Sequence, residues 1–135
     1  MSIPAIRKYR MGDRLYVQAQ QIWLILVAYV KTRGEDDKKT LTYGELAEAM
    51  GHEDRRVGHT LSRQLWIISE YCRLNELPAL NAIVVTQNDN QPGQGVVTTK
   101  GRSVREEQKH VYKTNWFLYG VPSTGTLRKV WASMA

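Results

Sequence analysis

Cysteine, catalytic motifs and long apolar runs are scarce in this chain of 135 residues. The single cysteine, Cys72, excludes an internal disulfide and a zinc site built from cysteines, and it agrees with a reducing environment. The longest apolar run, residues 22–30, is too short to span a bilayer. The N-terminal residues carry no apolar segment of the signal-peptide type. We therefore expect a cytoplasmic protein that has no membrane partner.

Sequence motifs of catalysis are also missing. The chain contains no P-loop, no G-x-S-x-G and no H-E-x-x-H, and its three histidines show no metal-ligand spacing. Cys72 lies in a mostly apolar segment, where a cysteine is typically a small core residue rather than a nucleophile. The sequence predicts no enzyme activity, no metal and no cofactor. Thiol chemistry at Cys72 is the one enzyme alternative.

The chain has an excess of positive charge. Lysine and arginine number 19 against 13 acidic residues, which gives a net charge of +6. This balance favours an acidic partner, with nucleic acid first and an anionic membrane surface second. Residues 1–14 carry Arg7, Lys8, Arg10 and Arg14, so this arm is either a DNA contact or a solvated terminus.

The spacing of apolar residues predicts a mainly helical α+β domain. Four helices are indicated outside the central motif, at residues 16–31, 65–74, 104–115 and 126–133. A buried strand at 82–86, a polar turn at 87–95 and a return strand at 96–99 predict a β-hairpin. The aromatic stretch 116–119 is expected to be either core or a clamp onto the first helix.

Residues 41–58 predict a helix, a tight turn and the start of a second helix. Thr42 is the expected N-cap, Glu45 completes a capping box, and Gly51 marks a left-handed C-cap. The second helix is expected at 54–61, followed by a bend at 62–64. Gly58 inside it indicates close approach to the first helix or to a ligand backbone. A second helix that opens with arginines predicts a helix-turn-helix aimed at a polyanion, and the hairpin after it would be the wing of a winged helix.

This order of elements resembles the C-terminal domain of the alkylguanine-DNA alkyltransferases and of the catalytically inactive alkyltransferase-like proteins. The likeness covers residues 18–95 and rests on T-Y-G-E-L-A at 42–47, on R-x-V-G at 55–58 and on a proline before V-V at 84–85. The resemblance implies binding in the minor groove of duplex DNA. It implies that Arg55 replaces a flipped nucleotide in the base stack and that Tyr43 crowds the neighbouring phosphate.

The chain departs from that family at the motif that carries the family's reactive cysteine. The acceptor motif P-C-H-R is P-A-L-N here, at residues 78–81, so Ala79 stands in the place of the alkyl-accepting cysteine. Gln64 replaces the family's asparagine after the recognition helix, and the helix at 65–74 is an insertion. Without the cysteine, alkyl transfer is excluded.

The sequence as a whole predicts one winged-helix domain over residues 1–135. It comprises a basic arm at 1–14, an alkyltransferase-like core at 16–99 and C-terminal helices at 103–135. The predicted function is non-catalytic binding of double-stranded DNA with recognition of a flipped or modified base. The predicted contact residues are Thr42, Tyr43, Arg55, Arg56, His59, Arg63, Lys100 and Arg102.

Two alternatives stay open at this point. One is a small winged-helix transcriptional regulator that binds an operator. The other is a protein-interaction module for a nucleic-acid-processing partner. The second is favoured by the acidic residues beside the arginines, which are Glu45, Glu48, Glu53 and Asp54.

Overall fold

The structure, a computed structural model, describes residues 8–33, 39–93 and 98–134. Within these residues the α-helices are α1 (Arg14–Thr32), α2 (Tyr43–Ala49), α3 (Ser62–Leu74), α4 (Val104–Lys113) and α5 (Thr124–Ser133). Short 3₁₀ helices occur at Met11–Asp13, Arg55–Thr60, Leu80–Ile83 and Trp116–Leu118. The strands β1 (Leu41–Thr42) and β2 (Val84–Val85) form a two-stranded parallel sheet, in which Leu41 lies opposite Val84. The protein is thus mainly helical with a small sheet, which confirms the α+β class.

Helix α1 is central to the core because apolar residues cover most of its circumference. Its Ile22, Trp23 and Leu26 are almost fully buried, and α1 packs against α3 and α5. The Trp23 ring meets Trp116 and Tyr71 edge to face, with centroids 5.6 Å apart in both pairs. The predicted core helix at 16–31 is confirmed, and these aromatic contacts join it to α3 and to the segment after α4.

The aromatic stretch 116–119 is core only at its first residue, and Phe117 contacts α1 from the surface. Trp116 is buried and its indole N–H donates to the Val111 carbonyl at 2.8 Å. Phe117 and Leu118 are 67% and 75% exposed. The 3₁₀ helix Trp116–Leu118 turns by about a third of a circle per residue, so one inward side chain sends the next two outward. The Lys31 ammonium lies over the Phe117 ring, 5.2 Å from its centroid.

The strand predicted at 82–86 is shorter than expected. Ala82 and Ile83 belong to the 3₁₀ helix Leu80–Ile83, and only Val84 and Val85 are strand. The side chains of residues 82–85 are all buried. The sequence could not separate strand from helical turn here, because a short run of buried apolar residues is compatible with both.

Among the described residues, β2 does not pair with the predicted return strand of the hairpin. Residues 96–97 lie outside them, and Thr98 and Thr99 have no strand conformation. Instead β2 pairs in parallel with β1, and a single antiparallel bridge joins Val85 to Pro92 across the polar turn. This pairing has no local sequence signal because β1 and β2 are far apart in the chain.

The predicted caps of α2 are confirmed. Thr42 Oγ1 accepts a hydrogen bond from the Glu45 backbone N–H at 3.1 Å, and the Thr42 N–H donates to Glu45 Oε1 at 3.0 Å. Gly51 has a φ of 97°, and the His52 N–H donates to the Ala47 carbonyl at 3.1 Å. This left-handed ending turns the chain back toward the start of α2.

The second helix of the motif differs from its prediction. It is the 3₁₀ helix Arg55–Thr60, capped by Asp54, whose side chain accepts from the Arg56 N–H. Leu61 separates it from α3, which begins at Ser62, so residues 62–64 are the first turn of a helix rather than a bend. We call this element the basic 3₁₀ helix.

Helix α4 begins where the sequence predicts and ends earlier, at Lys113. Ser103 is its N-cap, and its Oγ accepts from the Glu106 N–H at 3.2 Å. Among the described residues, no helix is both long and apolar enough to cross a membrane.

Candidate functional site

A cleft of about 510 Å³ opens where α2, the basic 3₁₀ helix and the loop after β2 meet. We call it the Tyr43 cleft. It brings together most of the contact residues that the sequence predicts, which are Thr42, Tyr43, Arg55, Arg56 and His59. The loop after β2 adds Thr86, Gln87, Asn88 and Gly93 to the lining. The cleft therefore combines cationic groups, an aromatic ring and neutral polar side chains.

Close packing of the basic 3₁₀ helix on α2 forms one wall of this cleft. A Cβ atom on Gly58 would lie 2.5 Å from the Tyr43 carbonyl oxygen, so only glycine fits there. A Cβ on Gly44 would lie 3.2 Å from the Cβ of Arg55. The glycine of R-x-V-G therefore serves close approach to the first helix, which decides between the two roles that the sequence allows.

Tyr43 lies at the meeting point of all three elements. Its hydroxyl rests against the backbone of Gly93, where any side chain would collide with it. Burial raises the pKa of Tyr43 above its ordinary value, and a backbone hydrogen bond with Gly93 opposes that rise. The phenol therefore stays protonated at neutral pH, and its ring is fixed against the loop.

Both cleft arginines are paired with carboxylates. Arg55 Nε donates to Glu48 Oε2 at 2.7 Å, across the turn from α2. Arg56 donates to both oxygens of Asp54, with Nη2 to Oδ2 at 2.9 Å. This pairing with Arg56 holds the pKa of Asp54 below its usual range. The arginine side chains are 59% and 87% exposed, so solvent or a ligand can compete for them.

The other predicted contacts lie outside the cleft. Arg63 is exposed on the first turn of α3, and Lys100 is exposed ahead of α4. Arg102 is engaged in the structure, since its Nη1 donates to Oε2 of the buried Glu107 at 3.3 Å. In the basic arm, Lys8 and Arg10 are exposed, Arg14 begins α1, and residues 1–7 lie outside the described residues.

The position that corresponds to the family's acceptor cysteine is closed. Ala79 is 2% exposed, and its N–H donates to Glu107 Oε1 at 2.8 Å. Glu107 also accepts from the N–H and the hydroxyl of Thr99 at 3.2 and 3.0 Å. Ala79 does not line the Tyr43 cleft. A ligand in this cleft would therefore meet the loop after β2 instead of Ala79.

Cys72 is fully buried in α3. Burial raises the pKa of its thiol to about 12, and the nearby Glu107 carboxylate adds to the rise. A thiolate nucleophile needs the opposite surroundings, which are positive and partly exposed. Across the part of the chain that is described, no cluster of histidine, cysteine or acidic residues could hold a metal ion.

Thr86, Gln87 and Asn88 are the lining residues that the sequence reading missed, since it assigned them to a polar turn. Because β1 and β2 are parallel, their carboxyl ends lie at one edge of the sheet. Tyr43 follows β1 and Thr86 follows β2, which places the two side by side. Ligands commonly bind at the carboxyl ends of parallel strands. The sequence does not show that β1 and β2 pair in parallel, so it could not predict these lining residues.

Comparison of the chain with protein-family models, with curated proteins and with solved structures gives no match in any of the three. The resemblance to alkyltransferase-like proteins therefore rests on the motifs alone. The residues of the Tyr43 cleft and their charge are the features of this chain that bear on function.

Proposed function

We propose that this protein is a non-catalytic, alkyltransferase-like domain that binds duplex DNA through the Tyr43 cleft. The observation that carries the proposal is the convergence of Arg55, Arg56 and His59 with Tyr43 on one concave surface. Planar guanidinium groups at an exposed rim suit bidentate contact with phosphate oxygens. The net charge of +6 adds long-range attraction to a polyanion.

In this proposal α2 and the basic 3₁₀ helix act as the helix-turn-helix of a winged helix. The loop that follows β2, closed by the bridge between Val85 and Pro92, takes the part of the wing. Both elements border the same cleft, which supports a single DNA-facing surface.

The cleft also suits a nucleotide that has left the base stack. Its volume of about 510 Å³ falls within the range of roughly 300–1,000 Å³ that is common for small-ligand pockets. The amides of Gln87 and Asn88 are exposed in the lining, and such groups read base edges by hydrogen bonding. We infer that Arg55 fills the vacated place in the stack while the extruded base enters beside Tyr43.

A protein-interaction module is the second candidate, and one observation favours it. Arg55 and Arg56 already have carboxylate partners in Glu48 and Asp54, which lowers the positive potential of the cleft. We prefer DNA because exposed ion pairs are weak and exchange readily. A phosphate can replace the carboxylate as the partner of either guanidinium.

The test is the binding of a labelled duplex, measured by fluorescence anisotropy across a series of salt concentrations. Affinity should fall linearly with salt on logarithmic axes, and each lost phosphate contact should reduce the slope by about 0.9. Arg55→Ala and Arg56→Ala should each weaken binding and flatten the slope. Arg73→Ala is the matched control because Arg73 pairs with Glu70 on α3, away from the cleft. Binding that ignores both cleft changes, or that ignores salt, would refute the proposal.

Base extrusion is tested separately with a 2-aminopurine base placed in the duplex. Its fluorescence should rise on binding because unstacking removes quenching by its neighbours. Arg55→Ala should reduce that rise more than it reduces binding. Tight binding with unchanged fluorescence would identify a backbone-binding regulator instead.

A further inference from the structure

A second groove runs along helix α4 and has a volume of about 530 Å³. We call it the α4 groove. Its cationic lining residues are Lys39, Arg105, Lys109 and Lys113, and none of its described lining residues carries a carboxylate. The Tyr43 cleft differs in this respect, since both of its arginines have acidic partners. The described lining of the α4 groove therefore carries four cationic side chains and no carboxylate.

Helical spacing sets the cations of this groove in a row. Arg105, Lys109 and Lys113 are exposed and recur every four residues, so they share one face of α4. At about 1.5 Å of rise per residue the row is roughly 12 Å long. One DNA strand carries a charge every 3.4 Å or so along the helix axis, so the row can follow several successive phosphates.

The fourth cation, Lys39, is held in the groove by contacts to α4. Tyr112 donates its hydroxyl hydrogen to the Lys39 carbonyl at 2.7 Å, between residues 73 positions apart in the chain. The Lys39 ammonium lies 5.4 Å from the centroid of the Tyr112 ring. The tertiary fold thus adds a cation from the segment before β1 to the row on α4.

The two depressions are joined by a short stretch of the chain. Thr40 lines the α4 groove and Thr42 lines the Tyr43 cleft. Leu41 between them is 3% exposed and points into the core. Thr40 and Thr42 are two residues apart, so their Cα atoms lie within about 7 Å of each other, and the two depressions are therefore neighbours.

We propose that the α4 groove is a second backbone-binding site for the same DNA, holding phosphates that flank the segment in the Tyr43 cleft. This inference rests on the proposed function, because one duplex must reach both sites. A nucleic acid fits better than an acidic protein. Protein interfaces centre on apolar and aromatic anchors, whereas Tyr112 is the one aromatic residue in the described lining and Lys39 lies over its ring.

The experiment compares Lys109→Gln and Lys109→Gln/Lys113→Gln with wild type on duplexes of about 6 and about 24 base pairs, which span roughly 20 and 80 Å. On the long duplex each substitution should weaken binding roughly fivefold at low salt and should reduce the salt slope by about 0.9. On the short duplex the variants should lose less affinity than on the long one, because a short duplex offers fewer phosphates for the two sites to contact together. Lys129→Gln, which changes an exposed lysine of α5, is the matched control and should leave both duplexes unaffected.

The outcomes separate the two proposals. If long-duplex binding depends on Arg55 and Arg56 but ignores the α4 changes, this inference is overturned and the proposed function stands. If neither duplex binds to wild type, both are overturned. If the double variant loses binding to polyglutamate while duplex binding is unchanged, the groove serves an acidic protein and the inference is wrong. Circular dichroism and thermal melting should show that the variants fold like wild type.

Discussion

At the scale of single residues, Arg55 and Arg56 differ in where their partners come from. Arg56 pairs with Asp54, which is only two positions away and is also the N-cap of the basic 3₁₀ helix. Arg55 pairs with Glu48, which lies on another element. Glu48 competes with a phosphate for the Arg55 guanidinium and repels the phosphate, so this carboxylate opposes DNA binding in our proposal.

We expect Glu48→Gln to strengthen duplex binding. The change removes a competing charge and frees Arg55, so affinity at low salt should rise roughly fivefold, as expected for one charge interaction at contact distance. Anisotropy titration measures the change. Glu70→Gln is the control because it frees Arg73, which does not line the cleft. Equal effects of the two substitutions would show that only net charge matters.

Cys72 gives a prediction on reactivity and pH. Its thiol is buried, and its pKa is raised from 9.0 to about 12, so a thiol reagent at pH 8 should modify it only after unfolding. The introduced exposed thiol of Ala132→Cys should react at once. The raised pKa also means that the stability contributed by the protonated thiol is present below pH 9 and is lost as pH rises toward 12.

Thermal melting between pH 8 and 11 checks the sign of that dependence. The melting temperature should fall with rising pH in wild type, and it should fall less steeply in Cys72→Ala. Rapid labelling of the folded protein would contradict the burial of Cys72 and would reopen the alternative of thiol chemistry.

At the scale of elements, the site depends on the contact between α2 and the basic 3₁₀ helix. Gly58 lies where the two backbones touch, and a methyl group there would meet the Tyr43 carbonyl. This contact fixes Arg55 and His59 relative to Tyr43. Local signals predicted the two ends of α2 correctly because capping involves residues only three or four positions apart.

We expect Gly58→Ala to destabilise the protein by about 1–3 kcal/mol, the usual cost of forcing a group into a packed contact. It should also weaken DNA binding, because the basic 3₁₀ helix must move away from α2. Gly12→Ala is the control, since a Cβ at Gly12 would meet nothing within 4 Å. Chemical denaturation measures the free energy of unfolding. Equal stability of the two variants would contradict the close packing at Gly58.

At the scale of the whole molecule, Glu107 connects distant parts of the chain. Its buried carboxylate accepts hydrogen bonds from Ala79, Thr99 and Arg102. These contacts tie α4 to the loop before β2 and to the segment that precedes α4. Arg102 is therefore engaged within the fold, and the DNA contact that the sequence predicts for it stays a prediction.

Glu107→Gln should lower the free energy of unfolding by about 1–3 kcal/mol, because an amide NH₂ that cannot accept a hydrogen bond replaces one of the two accepting oxygens. Its neighbour Glu106 is exposed on the same helix, so Glu106→Gln should change stability by less than about 0.5 kcal/mol. Denaturant titration of both variants provides the comparison. A loss in Glu107→Gln no greater than in Glu106→Gln would rule out this connecting role.

The sequence by itself determined the features that depend on neighbouring residues. The apolar run of α1 gave the core helix, and Thr42, Glu45 and Gly51 gave both ends of α2. Tyr43 and Arg55 were predicted to share a surface from the resemblance of their motifs, and a single glycine turn separates their elements. Backbone hydrogen bonds, caps and turns act over a few residues, so their signals are local.

Only the tertiary structure decided what depends on contacts between distant residues. The parallel pairing of β1 with β2 brings Thr86 to the Tyr43 cleft, and the bond from Tyr112 to Lys39 builds the α4 groove. Packing likewise buried Ala79, whose N–H donates to Glu107, and left Phe117 exposed. Such contacts arise from the shapes and charges of surfaces that meet only after folding. No short stretch of sequence carries a signal for them.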